Sequence, residues 1–300
     1  MDMKEMRYIV TIAEEGSISR AAEKLYMAQS SLSQFLQQYE AELGTKLFRR
    51  TSTGVRPTDS GRVVIDHAQK MLQQYHLMRS QVSDIEGLIS GHITLGISTF
   101  RGMYMLPKVM RAFYQKYPGI HVDIIEANSM ALEEEMMRGR LDLALLVLPL
   151  NRLKSDTELL IQDEVILVTS PDHELMQSAK RREDGRLYVD LADTAPYEYI
   201  LSDRDTILGH IARKLFAEAG FQPISRNTNI TAPFAAAMAR QGLGLAFTYR
   251  SCIGDYPEAS YLSLGKKGVY LDLALVYPAG SYRSLATREF ARIFRENLGV

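Results

Sequence analysis

Eight apolar residues, Val64, Ala68, Met71, Tyr75, Met78, Val82, Ile85 and Ile89, follow one another at intervals of four, three, four, three, four, three and four. A mean step of about 3.5 residues, sustained for more than three heptads, is the seam of a coiled coil, whereas the stripe of a globular helix repeats at about 3.6. The seam predicts a long helix that pairs with a second copy of itself. It also constrains the rest of the architecture, because the remaining chain must fold on one side of this helix or the other. A core helix within a single chain is the competing reading. Of the 300 residues, about 60 precede the helix and about 210 follow it, against a prior of roughly 150 residues per domain.

The leading segment reads as three short helices and a hairpin. Met6, Ile9, Val10 and Ala13 recur at three and four and stop at Gly16, a residue suited to the left-handed position after a helix. Ser17 is placed to cap a second helix with Ile18, Ala21, Ala22 and Leu25 on one face. A third helix carries Leu32, Phe35, Leu36, Tyr39 and Leu43 on its apolar stripe and ends at Gly44, while Ser30, Ser31, Ser33, Gln34, Gln37 and Gln38 occupy its other side. Three short helices with a tight turn between the second and third match a helix-turn-helix. Leu47 and Phe48, a polar turn at 51–54, then Val55 and Pro57 predict a small hairpin or wing, with Thr58 placed to cap the long helix.

Charge narrows what this head can bind. The chain holds 35 Lys and Arg against 36 Asp and Glu, so it is no bulk polycation and any basic surface is local. Between 46 and 62, Lys46, Arg49, Arg50, Arg56 and Arg62 face a single acid, Asp59. A wing that tracks phosphates needs such a surplus. Gln29, Ser30, Ser31, Ser33 and Gln34, at the start of the third helix, suit base edges in a major groove, where Gln pairs with adenine and Ser bonds bases or phosphate. The free N–H groups of that helix start also attract phosphate. Arg50 and Arg56 are the expected wing contacts, with one of Arg49 or Arg50 free to pair instead with an acid on the second helix. A merely solvated polar face is the alternative for the Ser and Gln residues.

From Gly91 short apolar segments alternate with amphipathic ones: HITLGIS (92–98), LPKVMRAFYQKYPG (106–119), IHVDIIEA (120–127), MALEEEMMRGR (130–140) and LDLALLVLPL (141–150). That is a βαβαβ pattern, and residues 143–148, apolar on both faces, suit a central parallel strand. A second unit follows, with strands at 197–201, around 224–227 and at 243–248, and helices at 207–219 and 233–241. Segments 165–170 and 269–277 read as crossovers, and the last helix, 285–298, as a return to the first lobe. In open α/β sheets ligands sit beyond the carboxyl ends of the strands. This places Ser98, Thr99, Phe100, Asn128, Ser129, Ser202, Asp203, Arg204, Phe247 and Thr248 around a pocket between the lobes. Hydroxyls beside helix starts suit a carboxylate or other anion, Arg204 is the candidate ionic clamp, and Phe100, Met103 and Tyr104 suit an apolar part. The plainer alternative is that Ser98 and Ser129 cap helices and that Arg204 pairs with Asp203 or Asp205.

Enzyme chemistry finds little support. Cys252, the one cysteine, excludes disulfide frameworks and multi-thiolate metal sites, and a lone thiol is usually a small buried hydrophobe. The GxG at 242–244 follows a helix rather than a strand, and the six histidines show no HExxH spacing. No metal and no cofactor are expected. No apolar run approaches the roughly 18 residues that span a membrane, and the charged N-terminus is unlike a signal peptide, so a cytoplasmic protein is expected. A transport-type solute-binding protein would account for two lobes but not for the first 90 residues.

Gly16, Ser17, Ala21, Ala22, Leu25, QSSLS at 29–33, Glu40, Leu43, Gly44, Leu47, Phe48, Arg50, Pro57, Thr58 and Gly61, followed by YPG at 117–119, GRLDLAL at 139–145, PDHEL at 171–175 and QGLGLAF at 241–247, together resemble the LysR-type transcriptional regulators over essentially the whole chain. The resemblance implies an α+β and α/β multidomain protein: a winged helix-turn-helix DNA-binding domain (1–58), a dimerising linker helix (59–90) and a two-lobed, periplasmic-binding-protein-like effector domain (91–300). Lobe I of that domain would comprise 91–167 and 269–300, and lobe II 168–268. It implies a bacterial, ligand-responsive regulator that binds double-stranded promoter DNA and a small effector and assembles as a homodimer or a homotetrameric dimer of dimers. RNA polymerase is a further partner that the resemblance admits and no residue specifies. Ser30, Gln34 and Thr53 stand where the family often has proline, a basic residue and arginine.

Overall fold

The computed structural model describes residues 2–298 apart from Glu86, Leu88, Ile89, Arg152, Asp255 and Pro257. Two compact units divide the chain, residues 1–87 with 138–140 and residues 88–137 with 141–300.

The first unit contains α1 (Met3–Glu15), α2 (Ile18–Lys24), α3 (Gln29–Leu43), the hairpin β1 (Phe48–Thr51) and β2 (Gly54–Pro57), and α4 (Asp59–Ile85). Asp2 and Glu5 close a reciprocal capping box at the start of α1, each backbone N–H donating to the other's carboxylate at 2.8 Å. The helices meet over Ile9, Ile12, Ala21, Ala22, Leu32 and Leu36, and the hairpin adds Phe48 and Val55 to the same core. The Val55 N–H donates to the Gly16 carbonyl at 2.8 Å, which pins the wing to the α1–α2 turn. Gly54, at φ +138°, allows this approach, since a Cβ there would stand 2.1 Å from the Gly16 carbonyl oxygen. Thr58 caps α4, its hydroxyl accepting from Gly61 N–H at 3.0 Å and donating to the Lys46 carbonyl at 2.6 Å.

α4 is not used evenly. Ala68 is fully buried against Met6 and Val10 of α1, and Val64 packs partly onto the head core. The first two positions of the expected seam are therefore occupied within the chain. Met71, Tyr75, Met78, Val82 and Ile85 continue the four–three repeat and are exposed, Ile85 at 83%. Ile89, the last expected seam residue, lies outside the described residues.

The second unit contains β3 (Gly91–Ile97), α5 (Thr99–Lys116), β4 (Ile120–Glu126), α6 (Ser129–Met137), β5 (Leu143–Leu148), β6 (Ser155–Thr169), β7 (Lys180–Arg181), β8 (Leu187–Val189), β9 (Glu198–Ser202), α7 (Ile207–Ala219), β10 (Ile224–Ile230), α8 (Ala232–Arg240), β11 (Ala246–Tyr249), β12 (Ser260–Leu264), β13 (Val269–Pro278) and α9 (Leu285–Asn297). A mixed sheet runs β4, β3, β5, β13, β6, β12, β8, β7, with β11 also on β6, and β9 pairs parallel with β10. The first four residues of β5 are buried, as a strand covered on both faces requires. One core gathers β3, α5, β5 and α9, where Phe113 meets Phe290 edge-to-face at 5.1 Å; another gathers β9, α7 and β11 around Tyr199, Phe216 and Phe247. Long β6 and β13 run through both halves of this unit.

Several strands depart from expectation: β6 starts at Ser155 rather than at 165, β7, β8 and β12 lie where no strand is expected, and β11 is displaced. The segment expected at 243–248 forms β11 only from Ala246 to Tyr249. Gly242 at φ +77° and Gly244 at φ +139° form the turn that precedes it, with Leu245 bridged to Tyr199. The strand's carboxyl end therefore falls at Tyr249 rather than Thr248.

Candidate functional site

At the head, α3 starts without a side-chain cap: Ala28 occupies the N-cap position and makes no side-chain cap hydrogen bond. Gln29, Ser30, Ser31 and Gln34 are exposed and Ser33 is half-buried. The wing is held to α3 by Glu40, a buried carboxylate that accepts from the backbone N–H of Leu47 at 2.8 Å and of Phe48 at 3.2 Å and pairs with Lys46 at 2.7 Å. Arg62 pairs with Asp59. Among the described residues Arg49, Arg50 and Arg56 have no ion-pair partner, so the expected pairing of Arg49 or Arg50 with an acid on α2 does not form. The acid at this site is Glu40 on α3, and the cation it engages is Lys46. Register places Arg49 directly across from Arg56 on the hairpin. Two like charges so placed repel, and a bound polyanion would relieve them.

In the second unit a cavity of about 290 Å³ opens between the two halves of the sheet unit. The starts of α5, α6, α7 and α8 converge on it through Ser98, Asn128, Thr206 and Thr231. Asn128 caps its own helix by accepting from Ala131 N–H at 2.9 Å, and Thr206 does the same for Gly209 N–H at 3.0 Å. Neither Ser98 nor Thr231 makes a side-chain cap. The Thr99 hydroxyl donates to Glu126 at 2.5 Å. Arg101, also on the wall, is 3% exposed; its Nη1 donates to Asp163 at 2.6 Å, and its guanidinium lies 4.1 Å from the centre of the Tyr249 ring. Burial pushes the Tyr249 phenol up to about 12, so it stays protonated.

Residues 3–62 match the family described as "Bacterial regulatory helix-turn-helix protein, lysR family", and residues 86–299 match "LysR substrate binding domain". The chain belongs to the LysR family. This is a family of regulators, not of enzymes. It is 29% identical to the uncharacterized HTH-type transcriptional regulator YcgK of Bacillus subtilis, over 99% of this chain and 95% of that protein. It is 28% identical to the HTH-type transcriptional regulator ShiR of Corynebacterium glutamicum, over 94% and 95%. Among solved structures, full-length OxyR of Pseudomonas aeruginosa shares the fold at a TM-score of 0.67 and 21% identity, covering 99% of this chain and 97% of that one. Full-length CbnR in complex with its target DNA does so at 0.64 and 18%, covering 99% and 100%.

Within this LysR-family fold the residues expected at the pocket divide in two. Ser98, Thr99, Phe100, Asn128, Ser129 and Asp203 line the cavity. Ser202 is buried at the end of β9 and Arg204 is exposed, both away from the cavity wall. Phe247 stacks on Tyr199 inside the core and Thr248 is buried, because the late start of β11 carries the strand end, and with it the wall position, to Tyr249. Met103 is half-exposed and off the wall, while Tyr104 packs against Phe100. Arg101 was the residue missed. Its signal is a charge in step with a buried stripe, since Arg101, Met105, Val109 and Phe113 stand four apart on α5 and all are buried. Cys252 is buried beside this site and burial pushes its thiol up to about 12, which leaves it unreactive near neutral pH.

The wing register carries its own prediction. Arg49→Ala should weaken binding to any duplex, reduce the slope of log affinity against log salt by about one, and leave the head at least as stable, because it removes the repulsion with Arg56. Salt titrations of fluorescence anisotropy read this directly; a loss confined to one operator sequence would make Arg49 a base reader instead.

Proposed function

We propose that this LysR-family regulator reads promoter DNA with the start of α3 and the β1–β2 wing, and that a small organic anion in the cavity of the second unit controls it. One observation carries the DNA reading: an uncapped helix start bearing Gln29, Ser30, Ser31, Ser33 and Gln34 sits in the same small unit as three arginines, Arg49, Arg50 and Arg56, that have no ion-pair partner among the described residues. Uncapped N–H groups and free guanidinium groups are donors for phosphate, and Gln and Ser can read base edges beside them. That CbnR has been solved with its target DNA supports the same use of the shared fold.

The exposed stripe of α4 supports pairing with a second copy, which would set two heads on two half-sites. A dimer of dimers and contact with RNA polymerase belong to the same reading, with no residue assigned to either. Action on chromosomal DNA carries a cytoplasmic location with it; among the described residues no helix is long and apolar enough to cross a membrane. An effector shifts the arrangement of the second unit only through unequal affinity for its two states.

Genome-wide footprinting of the protein should return a small set of promoters with paired half-sites. On such a site Gln29→Ala should lose about 1–3 kcal/mol at particular base pairs, whereas Arg56→Ala should lose affinity evenly on operator and random DNA. Equal losses on both for Gln29→Ala would sink its role in base reading.

A further inference from the structure

We propose that Tyr26, in the turn between α2 and α3, is a DNA contact, its phenol hydroxyl donating to a backbone phosphate at the edge of the groove that α3 enters. This deepens the DNA reading above and rests on it. The turn closes α2 with a Schellman cap: Met27 N–H donates to the Ala22 carbonyl at 3.0 Å and Tyr26 N–H to the Glu23 carbonyl at 3.1 Å. Such a cap needs a left-handed residue at position 26, and Tyr26 stands at φ +52°. Among the described residues it is the one non-glycine at positive φ. The ends of α1, α3 and α7 fill the same conformation with Gly16, Gly44 and Gly220. A Cβ in this region crowds the following carbonyl oxygen, so the backbone of the turn favours glycine over tyrosine. The cap therefore gives no reason for the side chain.

Packing gives none either. Tyr26 is 98% exposed, and its hydroxyl has no hydrogen-bond partner among the described residues. Its neighbours Leu25 and Met27 pack against the head core, and Ala28 has no polar side-chain atom, so Tyr26 is the only side chain of the turn that can hydrogen-bond. Lys24, the cation in the last turn of α2, is engaged by Glu15 at 2.8 Å. In a helix-turn-helix the second helix puts its first residues into the major groove while the first helix crosses the backbone, so the turn that joins them lies beside the phosphates at the groove edge. Tyr26 stands two residues before the N-cap Ala28 and three before Gln29. Tyrosine hydroxyls are among the donors that proteins use for phosphate, and such a contact fixes position without reading sequence.

The strained backbone makes the test sharp, because the variant that removes the contact also relieves the turn. Full-length wild type, Tyr26→Gly and Tyr26→Phe are titrated by anisotropy against a promoter fragment recovered by footprinting and against a random duplex of the same length, over a range of salt. Tyr26→Gly should bind both duplexes about tenfold more weakly, and Tyr26→Phe, which keeps the ring and loses the hydroxyl, should share most of that loss. The slope of log affinity against log salt should stay at the wild-type value, because a neutral phenol releases no counterion. Hydrogen exchange across α2 and α3 in Tyr26→Gly should be as slow as in the wild type or slower. Single methylphosphonates placed along one half-site should find a phosphate whose replacement costs the wild type about fivefold more than it costs Tyr26→Phe. The assignment is overturned if Tyr26→Gly binds like the wild type, if its loss is confined to the promoter fragment or comes with faster exchange in α2 and α3, or if no phosphate couples to the hydroxyl. A wild type that binds neither duplex overturns the regulator reading as well, whereas a wild type that binds both, matched by Tyr26→Gly, overturns this contact alone.

Discussion

Replacing Met78 with glutamate and Val82 with aspartate on α4 should convert the protein to monomers and lower its affinity for a paired operator about a hundredfold or more, by removing the linkage between two heads. Both side chains are about half exposed, at 49% and 53%, and lie in a stripe with Met71, Tyr75 and Ile85 that the described residues leave largely uncovered. Burying a fully exposed side chain of this kind is worth about 1.5–3 kcal/mol, and covering the half still exposed roughly half of that, so a stripe of five on each of two helices is still ample for a stable seam. Two carboxylates facing their own copies would have to be desolvated against like charge. The head should be untouched, because its contact with α4 runs through Val64, Ile65, Ala68 and Leu72, all before Met78. Light scattering gives the mass, and anisotropy on one and two half-sites gives the affinities; a variant that stays dimeric would place the interface elsewhere.

Glu40→Ala should destabilise the head by about 3–5 kcal/mol and abolish DNA binding. The Glu40 carboxylate is 5% exposed and is the acceptor for two backbone N–H groups, those of Leu47 and Phe48, at the point where the chain enters the wing. Each buried donor left unsatisfied costs about 1–3 kcal/mol, and the cavity left by the side chain adds to it. Glu40→Gln should be far milder, because both N–H groups donate to the same oxygen, Oε1, which a glutamine carbonyl can replace. Lys46→Ala should cost under about 1 kcal/mol, since the ammonium end of that pair is largely in water. Thermal unfolding ranks the three variants, and hydrogen exchange at the Leu47 and Phe48 amides reports whether the wing has come loose. Equal losses for alanine and glutamine would mean that the charge, rather than the acceptor, holds the wing.

Some of this could be read from the chain alone. The helices of the head follow from apolar residues at three and four, with glycines and Ser17 as stops and starts, and α4 follows from its repeat. The alternation of strands and helices after Gly91 is equally local. The wing arginines were legible as a group, but their pairing was not. That Arg49 faces Arg56, and that Lys46 is engaged by Glu40, depends on hairpin register and on a helix packed beneath it.

The cavity shows the division most clearly. Ser98, Thr99, Phe100, Asn128 and Ser129 could be placed on its wall because they lie within three residues of a strand's carboxyl end, and strand ends are a local property. Arg204 fits the same rule by position, yet its side chain lies in solvent, while Arg101, one residue past Phe100, turns into the wall. The cation's surroundings are set by residues distant in the chain: Asp163 is 62 positions away and Ser251 150. Periodicity and capping are short-range, so the sequence alone was enough for the helices, for the main strands and their order, and for the family, but not for β7, β8, β12 or the first ten residues of β6. Strand register, burial and the partner of each charge arise only when distant segments meet, and those decide that Arg101 is buried against Asp163 while Arg204 stays in water.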